Sequence, residues 1–287
     1  VGTASLARES ILYMFQLSEH GLGVSVYTWV KGGGSAGYAV FIYGGNPDGS
    51  TMLDHVDGIP VGADVGFDRW NLERLALSQS PTSEVSTIKA GTAQCAIEFT
   101  FEPTHEPYLY STSPGGCPSF FGTDRLEQSG RIRGRLERSG EIIEFDTQGH
   151  HDHSWGTRDW RAIQHYKWFE ATSPTSAVHV LDIAGIGEHH VAGYVLRDQK
   201  FGEVRSARWD VQYGDQFFQN EISLTVVDEF DRQTVVRGKS FSNFEFPVDA
   251  ETTLMDSLLD LTIEGEAGSG FADWCWPKDY LGYLQSR

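Results

Sequence analysis

Gly149-His150-His151-Asp152-His153-Ser154-Trp155-Gly156-Thr157-Arg158-Asp159-Trp160 gathers three histidines, two carboxylates, an arginine and two tryptophans within twelve residues. Buried polar groups at this density need one another as partners, so the stretch reads as a network and not as a solvated connection. If residues 150–155 are extended, the pleat places His151, His153 and Trp155 on one side and His150, Asp152 and Ser154 on the other. Gly156-Thr157 breaks the strand, after which Arg158 is expected to fold back on Asp152 or Asp159 as a charge-assisted pair. His151, Arg158 and Asp159 are accordingly expected to serve as scaffolding.

Upstream, residues 131–136 and 141–145, joined by Ser139-Gly140, predict a hairpin that feeds directly into the histidine stretch. Residues 94–101 alternate, with Cys95, Ile97, Phe99 and Phe101 on one face, which predicts a half-buried strand. Residues 11–17, 24–30, 38–43 and 51–56 are further strand candidates, with Gly32-Gly33-Gly34 as a turn. Residues 68–72 show no period and read as a loop or short helix. Residues 103–118, with four prolines and a Gly-Gly pair, predict a loop over a cavity mouth.

Downstream, strands are predicted at 165–171, 177–183, 191–196, 204–213, 221–227, 234–239, 241–246 and 258–264. About fifteen short strands with scarce helical pattern and 32 glycines specify an all-β protein. Meander spacing favours antiparallel barrels, which at about eight strands can hold one small ligand. The length of 287 residues suits two of them. The expected boundary lies at 147–148, giving domains 1–147 and 148–287.

A formal charge of −18 repels phosphate backbones and anionic membrane surfaces, which argues against a nucleic-acid partner. No stretch approaches the roughly 20 apolar residues of a spanning helix, and no basic segment followed by an apolar run opens the sequence. Cys95, Cys117 and Cys275 are odd in number and far apart, which points to free thiols and a reducing, cytoplasmic compartment.

The run Asp152-His153-Ser154-Trp155-Gly156, continued by Arg158-Asp159-Trp160, Trp168-Phe169 and residues 192–198, resembles the AttH-like and carotenoid 1,2-hydratase superfamily. That resemblance implies two lipocalin-like antiparallel β-barrel domains packed together. It also implies a hydratase of isoprenoid double bonds or a cyclase of polyenes, with His153 and Trp155 in the site and Asp182 as the best match to a later strand acid. Where the family pattern has an aromatic residue two positions before that acid, this chain has Val180.

Hydration of an alkene needs a proton donor, a surface tolerant of a carbocation, and one admitted water. A carboxyl in an apolar cavity stays protonated near neutral pH, so Asp182 or Asp152 could be the acid, with His153 orienting acid or water. Trp155, Trp160 and Trp168 offer electron-rich faces, each contributing roughly 0.5–2 kcal/mol toward a dry cation. The expected substrate is a hydrophobic small molecule in a cavity near the interdomain region, lined by Trp155, Trp168 and Tyr194, with no cofactor. The alternative is a non-catalytic carrier of an apolar ligand, in which the tryptophans pack and the histidines join domains.

Three competing chemistries fit less well. His151-x-His153 presents two nitrogens as a zinc site does, with His165, His179, His189 or His190 as a third ligand, yet the sequence has no second spaced pair. Gly33-Gly34-Ser35-Ala36-Gly37 matches a nucleophile elbow formally but lies in a turn between strands, with no helix after it. Gly32-Gly33-Gly34 and Gly185-Ile186-Gly187 lack the strand-turn-helix setting of a nucleotide loop.

Overall fold

A computed structural model describes residues 6–62, 66–79 and 85–287. Alternating apolar and polar positions build nineteen strands in them, joined mostly by tight turns. The first eleven are β1 (Ala7–Leu17), β2 (Leu22–Lys31), β3 (Ser35–Tyr43), β4 (Met52–Pro60), β5 (Arg69–Leu72), β6 (Leu75–Gln79), β7 (Ser86–Gly91), β8 (Cys95–Pro103), β9 (Tyr108–Leu109), β10 (Asp124–Arg138) and β11 (Glu141–Thr157). There follow β12 (Ile163–Thr172), β13 (Ala177–Gly185), β14 (Glu188–Arg197), β15 (Lys200–Tyr213), β16 (Gln219–Asp228), β17 (Gln233–Pro247), β18 (Thr252–Ile263) and β19 (Glu266–Pro277). An eight-residue helix, α1 (Lys278–Gln285), comes last.

Two compact units emerge. One comprises Val1–Pro107 with Arg125–Thr157, the other Tyr108–Asp124 with Arg158–Arg287. β11 runs through the expected boundary at 147–148 and stays with the first unit to Thr157.

The first unit is an antiparallel sheet with the path β4-β3-β2-β1-β11-β10-β8-β7-β6-β5. It curls into a half-barrel, and among the described residues no ladder joins its edges β4 and β5. Residues 69–72, expected as loop or helix, form edge strand β5, in which Trp70 and Leu72 are buried and Arg69 and Asn71 exposed. Four residues are too short a window for that alternation to stand out. The concave face carries Ile11, Tyr13, Phe15, Val24, Tyr38, Trp70, Phe99, Phe101 and Ile132 as one core.

In the second unit, β12 to β19 close in sequential order into a barrel. Phe169, Val180, Val195, Leu224, Met255, Leu259 and Trp274 fill its interior. A register shift between Ser240 and Ser242 is a bulge that joins the two expected strands at 234–246 into β17. Gly193 lies at φ 141°, and a Cβ there would stand 2.0 Å from the His179 carbonyl oxygen, so β13 and β14 approach closely only because this position is glycine. Among the described residues, no helix is long and apolar enough to cross a membrane.

Candidate functional site

The register of β1 on β11 fixes the two faces of the histidine stretch. His151 lies opposite Tyr13 and His153 opposite Ile11, so both belong to the concave core face. His150 lies opposite Met14 and Asp152 opposite Leu12, on the convex face. The pleat prediction for His151, His153 and Trp155 therefore holds, with ring centroids 6.5 Å apart for His151–His153 and 5.2 Å for His153–Trp155.

On the convex face, β10 supplies Arg125 and Glu127, which sequence reasoning missed. Glu127 Oε2 stands 2.7 Å from His150 Nε2, and Arg125 Nε donates to Glu127 Oε1 at 2.5 Å. The same guanidinium donates through its Nη2 to Asp152. All four side chains are buried, with Glu127 and His150 at 0% exposure. Burial pushes the His150 imidazole down to about 3, while Asp152 pulls it up and Arg125 pushes it further down. The neutral ring then carries its proton on Nε2 and donates it to Glu127. The strand pairing of β10 and β11 delivers Arg125 to Asp152. Arg158 lies over the rings of Phe121 and Trp160 and donates through Nε to the Phe121 carbonyl, and Asp159 caps the turn after it by accepting from the Arg161 N–H.

On the concave face, His153 Nε2 meets Glu9 Oε1 at 3.0 Å, with side chains 23% and 30% exposed. The hydrogen bond from His153 holds the Glu9 carboxyl below the usual range, against the opposing effect of burial. Phe67 and Trp155 stand beside the His153 ring. His151 stacks on Tyr13 at 4.4 Å and engages the Leu12 carbonyl through Nδ1; desolvation pushes it down to about 3. His151 and His153, the two nitrogens of the less favoured zinc reading, engage the Leu12 carbonyl and the Glu9 carboxylate.

In the second unit, alternation along β12 to β14 separates the remaining candidates. Trp168, His179 and Tyr194 are buried on the outside of the barrel wall, with His179 5.3 Å from Trp168 and 5.9 Å from Tyr194. The segment from Tyr108 to Asp124 covers this face: the Tyr110 hydroxyl bonds His179 Nε2 at 2.8 Å, and Tyr108 accepts from the Gly193 N–H at 3.2 Å. Asp182 points the other way, into the barrel. Its carboxylate accepts from Trp209 Nε1 and pairs with His189 Nε2, each at 2.8 Å. The structure therefore groups His151, His153 and Trp155 in one unit and Trp168 with Tyr194 in the other. Asp182 lies on the opposite side of the barrel wall from Trp168 and Tyr194.

A family profile described as "Domain of unknown function (DUF7064)" matches residues 1–278. The chain belongs to the DUF7064 family. No curated protein matches it in sequence. Three solved structures share its fold over nearly its whole length. A putative AttH (NE1406) from Nitrosomonas europaea is 13% identical, with TM-score 0.68, covering 93% of this chain and 92% of that one. CghA is 12% identical with TM-score 0.71, covering 95% and 89%, and has also been solved with Sch210972. Kievitone hydratase from Nectria haematococca is 8% identical with TM-score 0.64, covering 95% and 89%. This DUF7064 chain thus has the fold of the AttH-like group that its Asp-His-x-Trp-Gly run resembles.

Proposed function

We propose that this protein is a cofactor-independent enzyme that adds and removes protons on a hydrophobic isoprenoid or polyene, as a hydratase or dehydratase, an isomerase or a cyclase. The observation that carries the reading is the buried array of His150, Glu127, Arg125 and Asp152. With the imidazole neutral, the Glu127 and Asp152 carboxyls share the Arg125 guanidinium in a buried setting, and desolvation favours the protonated form of a buried carboxyl. An array of this kind can deliver a proton to a carbon–carbon double bond and take one back from a neighbouring carbon or from water.

Asp152 acts in this reading as part of the proton store. On the other face of β11, His153, held by Glu9, orients the water and Trp155 lends a ring face to developing positive charge, and Asp182 stands as the acid of the second unit. A hydratase among the fold's solved members supports the reaction class by analogy. Three free cysteines fit a reducing, cytoplasmic setting.

The test is incubation of purified protein with isoprenoids, steroids and polyenes, followed by liquid chromatography and mass spectrometry. A product of altered mass or retention is expected. Separate E127Q, H153Q and D182N variants test the assignments, and removal of a true acid–base group should lower turnover by about 10²–10⁴-fold. Saturable binding with every ligand returned unchanged would make the protein a carrier instead.

A further inference from the structure

Cross-strand register in the second barrel sets Trp274, Lys167, Asp182 and Val191 side by side around one interior layer. The next layer toward α1 contains Trp276 and His165, stacked at 3.8 Å. Aromatic rings crowd this end of the barrel: Tyr213 stacks on Phe217 at 3.9 Å, Phe217 lies 5.8 Å from Trp276, and Trp209 lies 6.0 Å from Trp274. Tyr280 of α1 lies 5.9 Å from Trp276, and Gln285 donates to the Gln216 carbonyl, so the helix forms one side of the rim.

Several polar groups of this end are not satisfied by one another. Trp274 and Trp276, exposed by 0% and 7%, both leave their indole N–H without an acceptor among the described residues. His165 donates Nδ1–H to the Cys275 carbonyl at 2.7 Å and leaves Nε2 unmatched. Lys167 makes no ion pair among the described residues, and its ammonium lies 5.5 Å from the Trp274 ring. Asp182, its cross-strand neighbour, spends its oxygens on Trp209 and His189. Buried donors without acceptors are costly, so three donors facing one lone pair call for an acceptor-rich occupant. Desolvation holds the Lys167 ammonium below its usual range, with Asp182 opposing, as expected of a cation lacking a close counter-charge.

We propose that the α1 end of the second barrel is a binding site for a short, planar carboxylate, held by the Lys167 ammonium and the Trp274 and Trp276 indole N–H groups. The carboxylate supplies the acceptors and the negative charge; the planar body stacks against Trp209, Tyr213 and Phe217. The ligand is short because Phe169, Val180, Leu224 and Met255 fill the barrel beyond this layer. This site does not depend on the enzymatic reading above, since binding is measured without turnover.

Isothermal calorimetry of the full chain with naphthalene-2-carboxylate and with naphthalene-2-methanol separates charge recognition from simple apolar uptake. The carboxylate should bind at least tenfold tighter than the alcohol. K167M should abolish that preference while leaving the alcohol's affinity unchanged. W276F, which keeps an aromatic ring and loses the N–H, should weaken the carboxylate about fivefold while the thermal melting point confirms folding. Equal affinity of acid and alcohol, no carboxylate binding up to millimolar concentration, or undiminished carboxylate binding by folded K167M and W276F would each overturn the proposal.

Discussion

On the convex face of β11, His150 and Asp152 are sealed with Glu127 and Arg125, while on the concave face His153 and Glu9 form a pair that keeps contact with water. The residue types are the same and the strand is the same; the difference is desolvation. A sealed imidazole is held neutral and its carboxylate neighbours share a guanidinium, whereas a part-exposed pair borrows much of its stabilisation from solvent. One strand thereby carries a region whose charges hold each other in place and a region whose charges can be exchanged at little cost to folding.

The sharpest way to break this contrast is R125M. Removing the shared cation takes the guanidinium away from two buried carboxylates, and a loss of about 3–5 kcal/mol is expected in urea unfolding. A loss below 1 kcal/mol would place the two faces on equal terms. Next in size is a pH effect. The unfolded chain takes up protons on histidine from about pH 6.5 downward, while buried His150 and His151 refuse them until about pH 3. The unfolded state then binds more protons, so stability falls as the pH is lowered through that window. H151Q should flatten the slope by about 1.4 kcal/mol per pH unit between pH 4 and 6, read from urea midpoints. An unchanged slope would mean that His151 is not neutral when folded.

The smallest effect is expected from E9Q, at under about 1 kcal/mol near neutral pH. The hydrogen bond from His153 lowers the folded Glu9 pKa, so its contribution is present above the ordinary glutamate range and lost as pH falls through the lowered value. E9Q has no such contribution to lose. A cost near that of R125M would erase the distinction between the faces.

Much of this was legible in the chain itself. The two-residue period gave the faces of β11, and hairpin spacing gave most strands and the all-β class. The partners of the histidines were not legible: Glu9, Arg125 and Glu127 stand far away in sequence and are brought in by the register of β1, β10 and β11. β19 was missed because Ala267-Gly268-Ser269-Gly270 lacks branched and aromatic residues. Its glycines answer a packing demand, since a Cβ at Gly268 or Gly270 would stand 2.1 Å from the Thr172 oxygen or 2.5 Å from the Glu170 oxygen on β12. Asp182 and Leu181 take opposite faces of β13 by alternation, and the closure of β12 to β19 decides that the Asp182 face is the interior.

The stretch Tyr108–Asp124 belongs to the second unit although the chain then returns to the first for β10 and β11. Synthesis proceeds from the N-terminus, so this ribbon leaves the ribosome before any strand of the barrel it will cover exists. A fragment begun at Arg158 would be born without the Tyr110 phenol that bonds His179 and without the Tyr108 hydroxyl that receives the Gly193 amide. The barrel, though closed on itself, is therefore not a module that a single cut can release.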